Sequence, residues 1–264
     1  MRSGLEVQRA GLYSLVLWAV RSRVGKYRRG SLWALLEPLA HVAVLWWMRE
    51  LVLGRSRADI PYTVFIIVGV VLWLLFRNVS VRSVRKLNRS GDGGLFGHRF
   101  GHKGAYSVDR VLAHAFFEFV VNAIVFVILL YLTWIFMDES IKLGNLPYLV
   151  AVYMLLVCIS LGFAFLFASL IERFPDSERI IPIAVRPLYF MSGIFFSISE
   201  IPETYRPYFE WNPILHAVEL TRNAIVPTYN VQEASMAYVL MFALTIGAFG
   251  LALLRTTANR GQGR

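Results

Sequence analysis

Apolar positions along this chain gather into long runs, separated by shorter polar segments that hold most of the charge. Crossing about 30 Å of hydrocarbon takes about 20 helical residues at 1.5 Å each. Six runs reach that length: Trp33–Leu53, Ile60–Val81, Val108–Met137, Leu146–Ile171, Ile180–Ser199 and Ala234–Leu254. The fifth is the least regular, interrupted by Pro182, Arg186, Pro187 and Gly193. Its continuation, Ile198–Trp211, is semi-apolar, proline-marked and too short for another comfortable crossing. Irregular backbone at membrane depth is tolerated only where protein or a water-filled cavity covers it. The pattern predicts an all-α, polytopic membrane protein with six transmembrane helices and a re-entrant or periplasm-facing hairpin before the last span. Residues 1–32 then form a leading segment, 33–254 the spanning domain and 255–264 a tail, with a loop at 82–107 and the re-entrant region at 200–230.

Composition agrees with the pattern. The chain has 264 residues, of which 57% are apolar and 17% charged. Soluble domains carry about 45–50% apolar and about 25% charged residues. A soluble enzyme, a disordered tail and a fibre are excluded. There are 27 Lys+Arg against 17 Asp+Glu, net +10. Such a surplus can point to nucleic acid, but positive charge also collects in the cytoplasmic loops of membrane proteins. With the six spans above, eighteen Lys/Arg fall on the side of the termini and six on the other. The termini are therefore expected in the cytoplasm. The single cysteine, Cys158, lies in an apolar run, so no intrachain disulfide and no cysteine metal site can form. Residues 5–29 lack a cleavage site after their short apolar stretch. Leu5, Leu12, Leu15, Val16, Ala19 and Val20 can share one helical face, either as a basic helix in the cytoplasmic interface or as one packed on protein.

Catalytic signatures are absent. No G-x-x-x-x-G-K-[ST], dinucleotide fingerprint, H-E-x-x-H or G-x-S-x-G occurs. The glycines of Gly91–Gly104 lack the Lys-Ser/Thr step, so any ATP is expected on another chain. The histidines are scattered; His98 and His102 have no carboxylates beside them. We expect no catalytic residue, no metal and no cofactor in this chain.

Four segments draw attention. Tyr27–Pro38 approaches the membrane through Arg28, Arg29 and Trp33, then places Glu37 before Pro38, with His41 one turn on and able to pair with Glu37. The alternative is a simple snorkelling approach. The loop Arg82–Ser107 combines six Lys/Arg with exposed Leu95, Phe96 and Phe100, which suits docking of a partner or contact with lipid headgroups. Arg110, His114, Glu118 and Asn122 recur every four residues and face roughly one way; they suit pairing between spans or a functional site. Finally, Ser192–Pro202 leads through Tyr205–Tyr208 to Trp211–Ala224. There Asn212-Pro213 signals a turn and helix start, Glu219 and Arg222 can pair along a helix, and the aromatic rings suit sugar stacking or an ordinary interfacial belt.

Three of these stretches resemble the membrane subunit of ABC-2-type polysaccharide exporters, most closely the KpsM-like capsular polysaccharide permeases. They are Gly30–Pro38, Ser192–Ser197 and Trp211–Arg222, the last being the most specific. The resemblance extends over essentially the whole chain. It implies a homodimer with two ABC ATPase subunits that bind ATP and Mg, in the inner membrane of a two-membrane bacterium. It also implies a periplasmic co-polymerase-type adaptor, an outer-membrane exporter, a lipid-linked polysaccharide cargo and no nucleic acid. The N-terminal helix would be the interface helix. Arg85, Lys86, Arg89, Leu95, Phe96, Arg99 and Phe100 would serve ATPase coupling, with Glu172–Arg179 a second contact. Trp211, Asn212, Pro213, His216, Glu219 and Arg222 would belong to the periplasmic gate. The channel at the dimer interface would draw on Glu37, His41, Trp46, Trp47, Arg49, Trp73, Arg77, Arg186, Tyr189, Phe195 and Phe196. Pro38, Pro182 and Pro187 would act as pivots when ATP binding closes the ATPases. One departure is the Gly- and His-rich stretch Gly93–Gly104.

Other classes make different demands. An enzyme acting on lipid-linked sugars needs an acid/base constellation; Glu200, Glu203, Glu210 and Glu219 offer acids without a matching base cluster. An ion or solute carrier needs no ATPase. The same permease architecture could also carry O-antigen, teichoic acid or a small molecule.

Overall fold

In the computed structural model, residues 30–52, 60–89, 107–137, 144–229 and 233–262 are described. Within them, the side chains of 30–35, 48–52, 86–87, 89, 107–110, 136–137 and 258–262 lie outside the description. The helices are α1 (Gly30–Val52), α2 (Tyr62–Arg77), α3 (Ser83–Arg89), α4 (Ser107–Met137), α5 (Leu146–Arg173), α6 (Ser177–Met191), α7 (Pro207–Glu210), α8 (Pro213–Ile225) and α9 (Met236–Gln262). A π-turn, Asn78–Arg82, joins α2 to α3, and a short 3₁₀ turn covers Ile198–Glu200. Among the described residues there is no strand. The chain is an all-α polytopic membrane protein, with four segments long and apolar enough to span: Tyr62–Arg85, Val111–Ile135, Leu146–Arg173 and Met236–Thr257.

Helix α2 has no polar side chain between Thr63 and Arg77, and that stretch is buried from end to end. A helix apolar on all sides belongs inside a bundle, and α1, α4, α5 and α8 pack around it. The most extensive helix pairing is α5 with α9. It is close because glycines face each other: a Cβ on Gly250 would sit 2.3 Å from the Gly162 carbonyl oxygen, and one on Gly162 would sit 2.8 Å from the Gly247 nitrogen. Small residues let membrane helices approach until backbones touch. The outer faces of α4 and α9 expose Phe116, Ile124, Val127, Leu240 and Leu244, as helices bathed in lipid do.

The ends of the helices follow local rules. Asn145 caps α5 by accepting from the Tyr148 amide at 3.0 Å, and Asn212 caps α8 by accepting from Ile214 at 3.0 Å, each followed by a proline in the first turn. The predicted start at Asn212-Pro213 is thus a capped helix start. The fifth apolar run departs from its prediction. Its helix begins at Ser177 and stops at Met191, well short of Ser199. Its 15 residues rise about 22 Å, less than the ~30 Å of hydrocarbon. The stop is imposed at Gly193, whose φ of +70° favours glycine, and where a Cβ would meet Leu215 Cδ1 at 2.6 Å. The chain then turns back through the 3₁₀ segment and α7 into α8.

Candidate functional site

The two ends of the bundle are built differently. At one end α3 meets the start of α6: Asn88 Nδ2 donates to Glu178 Oε2 at 2.9 Å, and Arg85 Nε lies 4.0 Å from Glu178 Oε1. At the other end the amides of Gly144 and Asn145 both donate to the Ala224 carbonyl, at 3.1 Å each, tying the start of α5 to the end of α8.

Near the first end, α1, α2, the π-turn, α3 and α6 enclose a cavity of about 410 Å³. Arg77, Arg82, Arg85 and Arg186 line it, with His41, Trp73, Tyr189 and Phe190 as its aromatic wall and Val81, Pro182 and Val185 between them. The π-turn explains how two of the arginines converge. The Ser83 amide donates to the Asn78 carbonyl, an i→i+5 bond, and Ser83 Oγ donates to the same oxygen at 2.6 Å. That wider turn lets Arg77 and Arg82, five residues apart, address one carboxylate. Arg77 donates to Glu37 Oε1, and Arg82 Nη1 to Glu37 Oε2 at 2.8 Å. The sequence leaves Glu37 able to pair with His41, or simply snorkelling at the membrane edge. The structure corrects this: His41 Nδ1 lies 2.8 Å from the Glu37 backbone carbonyl, and the carboxylate belongs to α2 and the π-turn. Arg186 has no hydrogen bond or ion pair among the described residues, and Arg85 Nε is buried without an acceptor.

The aromatic wall continues away from the arginines. Tyr189 meets Trp73 edge-on at 5.5 Å and Phe195 at 5.4 Å, and Phe195 stacks on Phe190 at 5.7 Å. Of the proposed channel residues, His41, Trp73, Arg77, Arg186, Tyr189 and Phe195 therefore gather with Glu37. Trp46 and Trp47 are exposed on α1 and outside the cavity lining. Phe196 turns toward Phe209 instead, at 5.5 Å. The side chains of Arg49, Lys86 and Arg89 lie outside the described residues, as do Leu95, Phe96, Arg99 and Phe100 from the coupling group and residues 1–29 of the predicted N-terminal interface segment 1–32. Arg85, assigned to coupling, also faces the cavity. Val81, Arg82, Pro182, Val185 and Phe190 were not anticipated as lining. Their signal is tertiary, since ideal α-helical spacing separates Arg77 from Arg82 by about 140°.

The opposite end holds a dry ionic clasp. Arg222 and Glu219 on α8 are both 0% exposed and pair at 3.1 Å. Arg222 also donates to the carbonyls of Phe65 at 3.0 Å and Gly193 at 2.6 Å, and its guanidinium lies 3.3 Å from the Phe65 ring centroid. Tyr229 donates to Glu219 Oε2 at 2.5 Å, and Ser197 Oγ and the Ile198 amide donate to Glu219 at 3.2 and 3.3 Å. Burial and the Glu219 charge push the Tyr229 phenol up to about 12, so it remains a donor. Asn212 Nδ2 donates to the Met191 carbonyl at 3.1 Å, fastening the hairpin at its other margin. Ser197 and Glu200 form a capping box at the 3₁₀ turn. His216 Nε2 lies 2.7 Å from the Glu210 carbonyl, while its Nδ1 faces the Ser235 amide at 3.2 Å. Since that amide must donate, Nδ1 accepts and the imidazole is neutral. Pro213 is buried in the first turn of α8, and Trp211 is exposed at the hairpin tip, donating through Nε1 to Tyr208 O at 2.7 Å. Of this clasp, Gly193, Phe65, Ser197 and Tyr229 were unforeseen as partners.

Between the two ends, three of the four residues spaced along α4 face inward. Asn122 accepts from Tyr153 at 2.6 Å and donates to Val71 O at 3.2 Å, and His114 lies 3.1 Å from Ser83 Oγ. The Arg110 side chain lies outside the described residues.

Comparison with known proteins gives a consistent picture. Residues 26–226 match the ABC-2 type transporter family. The chain is 36% identical to the polysialic acid transport protein KpsM of Escherichia coli, over 97% of this chain and 96% of the relative. It is 22% identical to the capsule polysaccharide export inner-membrane protein CtrC of Neisseria meningitidis, over 95% and 92%. It is 23% identical to the O-antigen export system permease protein RfbA of Klebsiella pneumoniae, over 88% and 85%. With helices able to span, a family match over most of its length and an end-to-end relative above 30% identity, the chain belongs to the ABC-2 type transporter family.

Proposed function

We propose that this chain is the permease subunit of an ATP-driven exporter that carries capsular polysaccharide across the inner membrane. The observation that carries the reading is the end-to-end likeness to KpsM, without large insertion or loss. The arginine-lined, aromatic-walled cavity fits it. Guanidiniums suit an acidic glycan or a phosphate-bearing lipid, and flat aromatic faces allow a polymer to slide through many weak contacts. The cargo is lipid-linked polysaccharide, the pathway lies at the interface of two copies, and ATP and Mg are bound by two separate ATPase subunits. Six crossings, with α1 as a less apolar span and the short α6 completed by the hairpin that follows it, put both termini in the cytoplasm. The end bearing Asn88 and Glu178 then faces the ATPases, and the hairpin with the Arg222 clasp forms the periplasmic gate beside an adaptor and an outer-membrane exporter. A second reading, the same machine with O-antigen as cargo, is favoured by the likeness to RfbA.

The test is mild-detergent purification of the tagged chain from its host, with mass spectrometry, and deletion of its gene. A stoichiometric nucleotide-binding subunit with vanadate-sensitive ATPase activity is expected, together with polysaccharide trapped in the cytoplasm of the deletion strain. A chain that purifies alone, in a strain with normal surface glycan, refutes the reading. Loss of O-antigen with capsule intact selects the second.

A further inference from the structure

Two ion-pair systems in this protein differ in one physical respect. The Arg222–Glu219 pair is fully buried. The Glu37 side chain is 23% exposed, that of Arg77 29% and that of Arg82 49%. A dry pair is locked, because separating it strands a charge in a medium that cannot solvate it. A wet pair exchanges partners at low cost. Glu37 is therefore held by two arginines that can release it, and both face the cavity.

The charges of the cavity do not balance internally. Four guanidiniums line it, while among the described residues the carboxylates within ion-pair distance of them are Glu37 and Glu178. Two positive charges are left over. Arg186 has no partner among the described residues, and Arg77 and Arg82 share the single charge of Glu37; Arg85, though 4.0 Å from Glu178 Oε1, has no hydrogen-bond acceptor for its buried Nε. A phosphate group carries about −1.5 to −2 at neutral pH as a monoester, with three strong acceptor oxygens, and arginine forks match it bidentately. A lone sugar carboxylate would leave part of the surplus unmatched. The wall of Trp73, Tyr189 and Phe190 then offers an apolar face to whatever organic group bears the phosphate.

We propose that the cavity is a binding site for a phosphate carried on an organic group, and that Glu37 is its built-in counter-ion. Arg186 and Arg85 capture the phosphate, and Glu37 yields Arg77 and Arg82 as the anion settles. Without cargo, Glu37 prevents the arginines from collecting stray anions. With cargo, the exchange shifts α1 relative to the π-turn. This inference rests on the reading of the cavity as part of the cargo path.

The test uses the full-length chain in nanodiscs of zwitterionic phosphatidylcholine. Binding of dioctanoyl phosphatidic acid and of inorganic phosphate is followed by calorimetry for the wild type, Glu37→Gln and Arg186→Gln. Removing a competing charge a few ångström away is expected to tighten lipid-phosphate binding about tenfold in Glu37→Gln, and removing a ligand to weaken it about tenfold in Arg186→Gln. Inorganic phosphate is expected to bind more weakly than the lipid in each protein; equal affinity overturns the part assigned to the organic group. Unchanged or weaker lipid-phosphate binding in Glu37→Gln overturns the counter-ion role while leaving the cavity as a site. Unchanged binding in Arg186→Gln overturns the cavity itself. If Glu37→Gln does not reach the membrane, Glu37→Asp withdraws the carboxylate by one methylene; tightening supports the proposal and weakening overturns it. The export assignment is read separately, from co-purification and the deletion strain.

Discussion

The side chain under the greatest constraint is Arg222. It is fully buried, and its guanidinium bridges α8 to the α2 backbone and to the turn at Gly193. Truncating one member of such a pair leaves the other charge stranded, at about 3–5 kcal/mol. Arg222→Met and Glu219→Gln are each expected to destabilise the detergent-solubilised protein by about that amount, and the double variant by much less than the sum. A thermal-unfolding cycle measures this, and full additivity would rule the clasp out as a unit. His216 carries a pH signature. Burial holds its imidazole below the ordinary 6.5, against the pull of the Glu210 carbonyl and the Glu210 and Glu219 charges. As pH falls, the unfolded chain takes the proton first. The stability this residue supplies is therefore complete above about 6.5 and is lost as pH drops below that value. His216→Gln should flatten the fall in melting temperature between about pH 7.5 and 5.5. Parallel curves for the two proteins would contradict the assignment.

Among the elements, the α5–α9 crossing is the one most sensitive to a single carbon. A Cβ at position 250 meets the Gly162 carbonyl oxygen at 2.3 Å, whereas at position 247 it meets nothing within 4 Å. Gly250→Ala is expected to cost about 1–3 kcal/mol by forcing the helices apart. Gly247→Ala should leave stability unchanged or slightly higher, through helix propensity. Comparing the two by thermal aggregation in detergent checks the crossing; equal losses would place the contact elsewhere. The apolar runs predicted α1, α2, α4 and α5 to within about four residues, and the start of α9, because run length and side-chain hydrophobicity are local properties; α9 itself continues past Leu254 to Gln262, through residues expected as a tail. The end of α6 was not legible. It is set by Leu215 standing over Gly193 and by Asn212 bonding to Met191 O, contacts across a hairpin. The π-turn was equally hidden, since the composition of Asn78–Arg82 suits an ordinary helix and the tertiary setting of Ser83 and Glu37 accompanies the wider one.

At the scale of the whole molecule, the polar groups segregate by purpose. One end carries wet, exchangeable charge around a cavity, and the other a dry clasp that fastens a hairpin. Such a layout suits a machine that must move at one end and hold shape at the other. The loop 82–107, through Leu95 and Phe96, is proposed to seat the ATPase. Replacing both with Asp should abolish co-purification of that subunit while leaving the permease in the membrane, as a pull-down would report. Retention of the full amount would place the contact elsewhere, with Glu172–Arg179 the next segment to examine.

By itself, the sequence determined that this chain lives in a membrane as a bundle of helices, which end of each run carries positive charge, and where α5 and α8 begin. Those are consequences of hydrocarbon thickness, of backbone hydrogen bonds that must close within each segment, and of caps made by adjacent residues. Tertiary structure alone decided the partners. Glu37 pairs with Arg77 and Arg82 rather than His41 because the π-turn of another helix brings them to it. Arg186 lines the cavity and meets no carboxylate among the described residues, because the packing of α6 beside α2 and the π-turn leaves Glu37 to Arg77 and Arg82. An ion pair depends on distance and on exclusion of water, and a linear pattern encodes neither until the helices have packed.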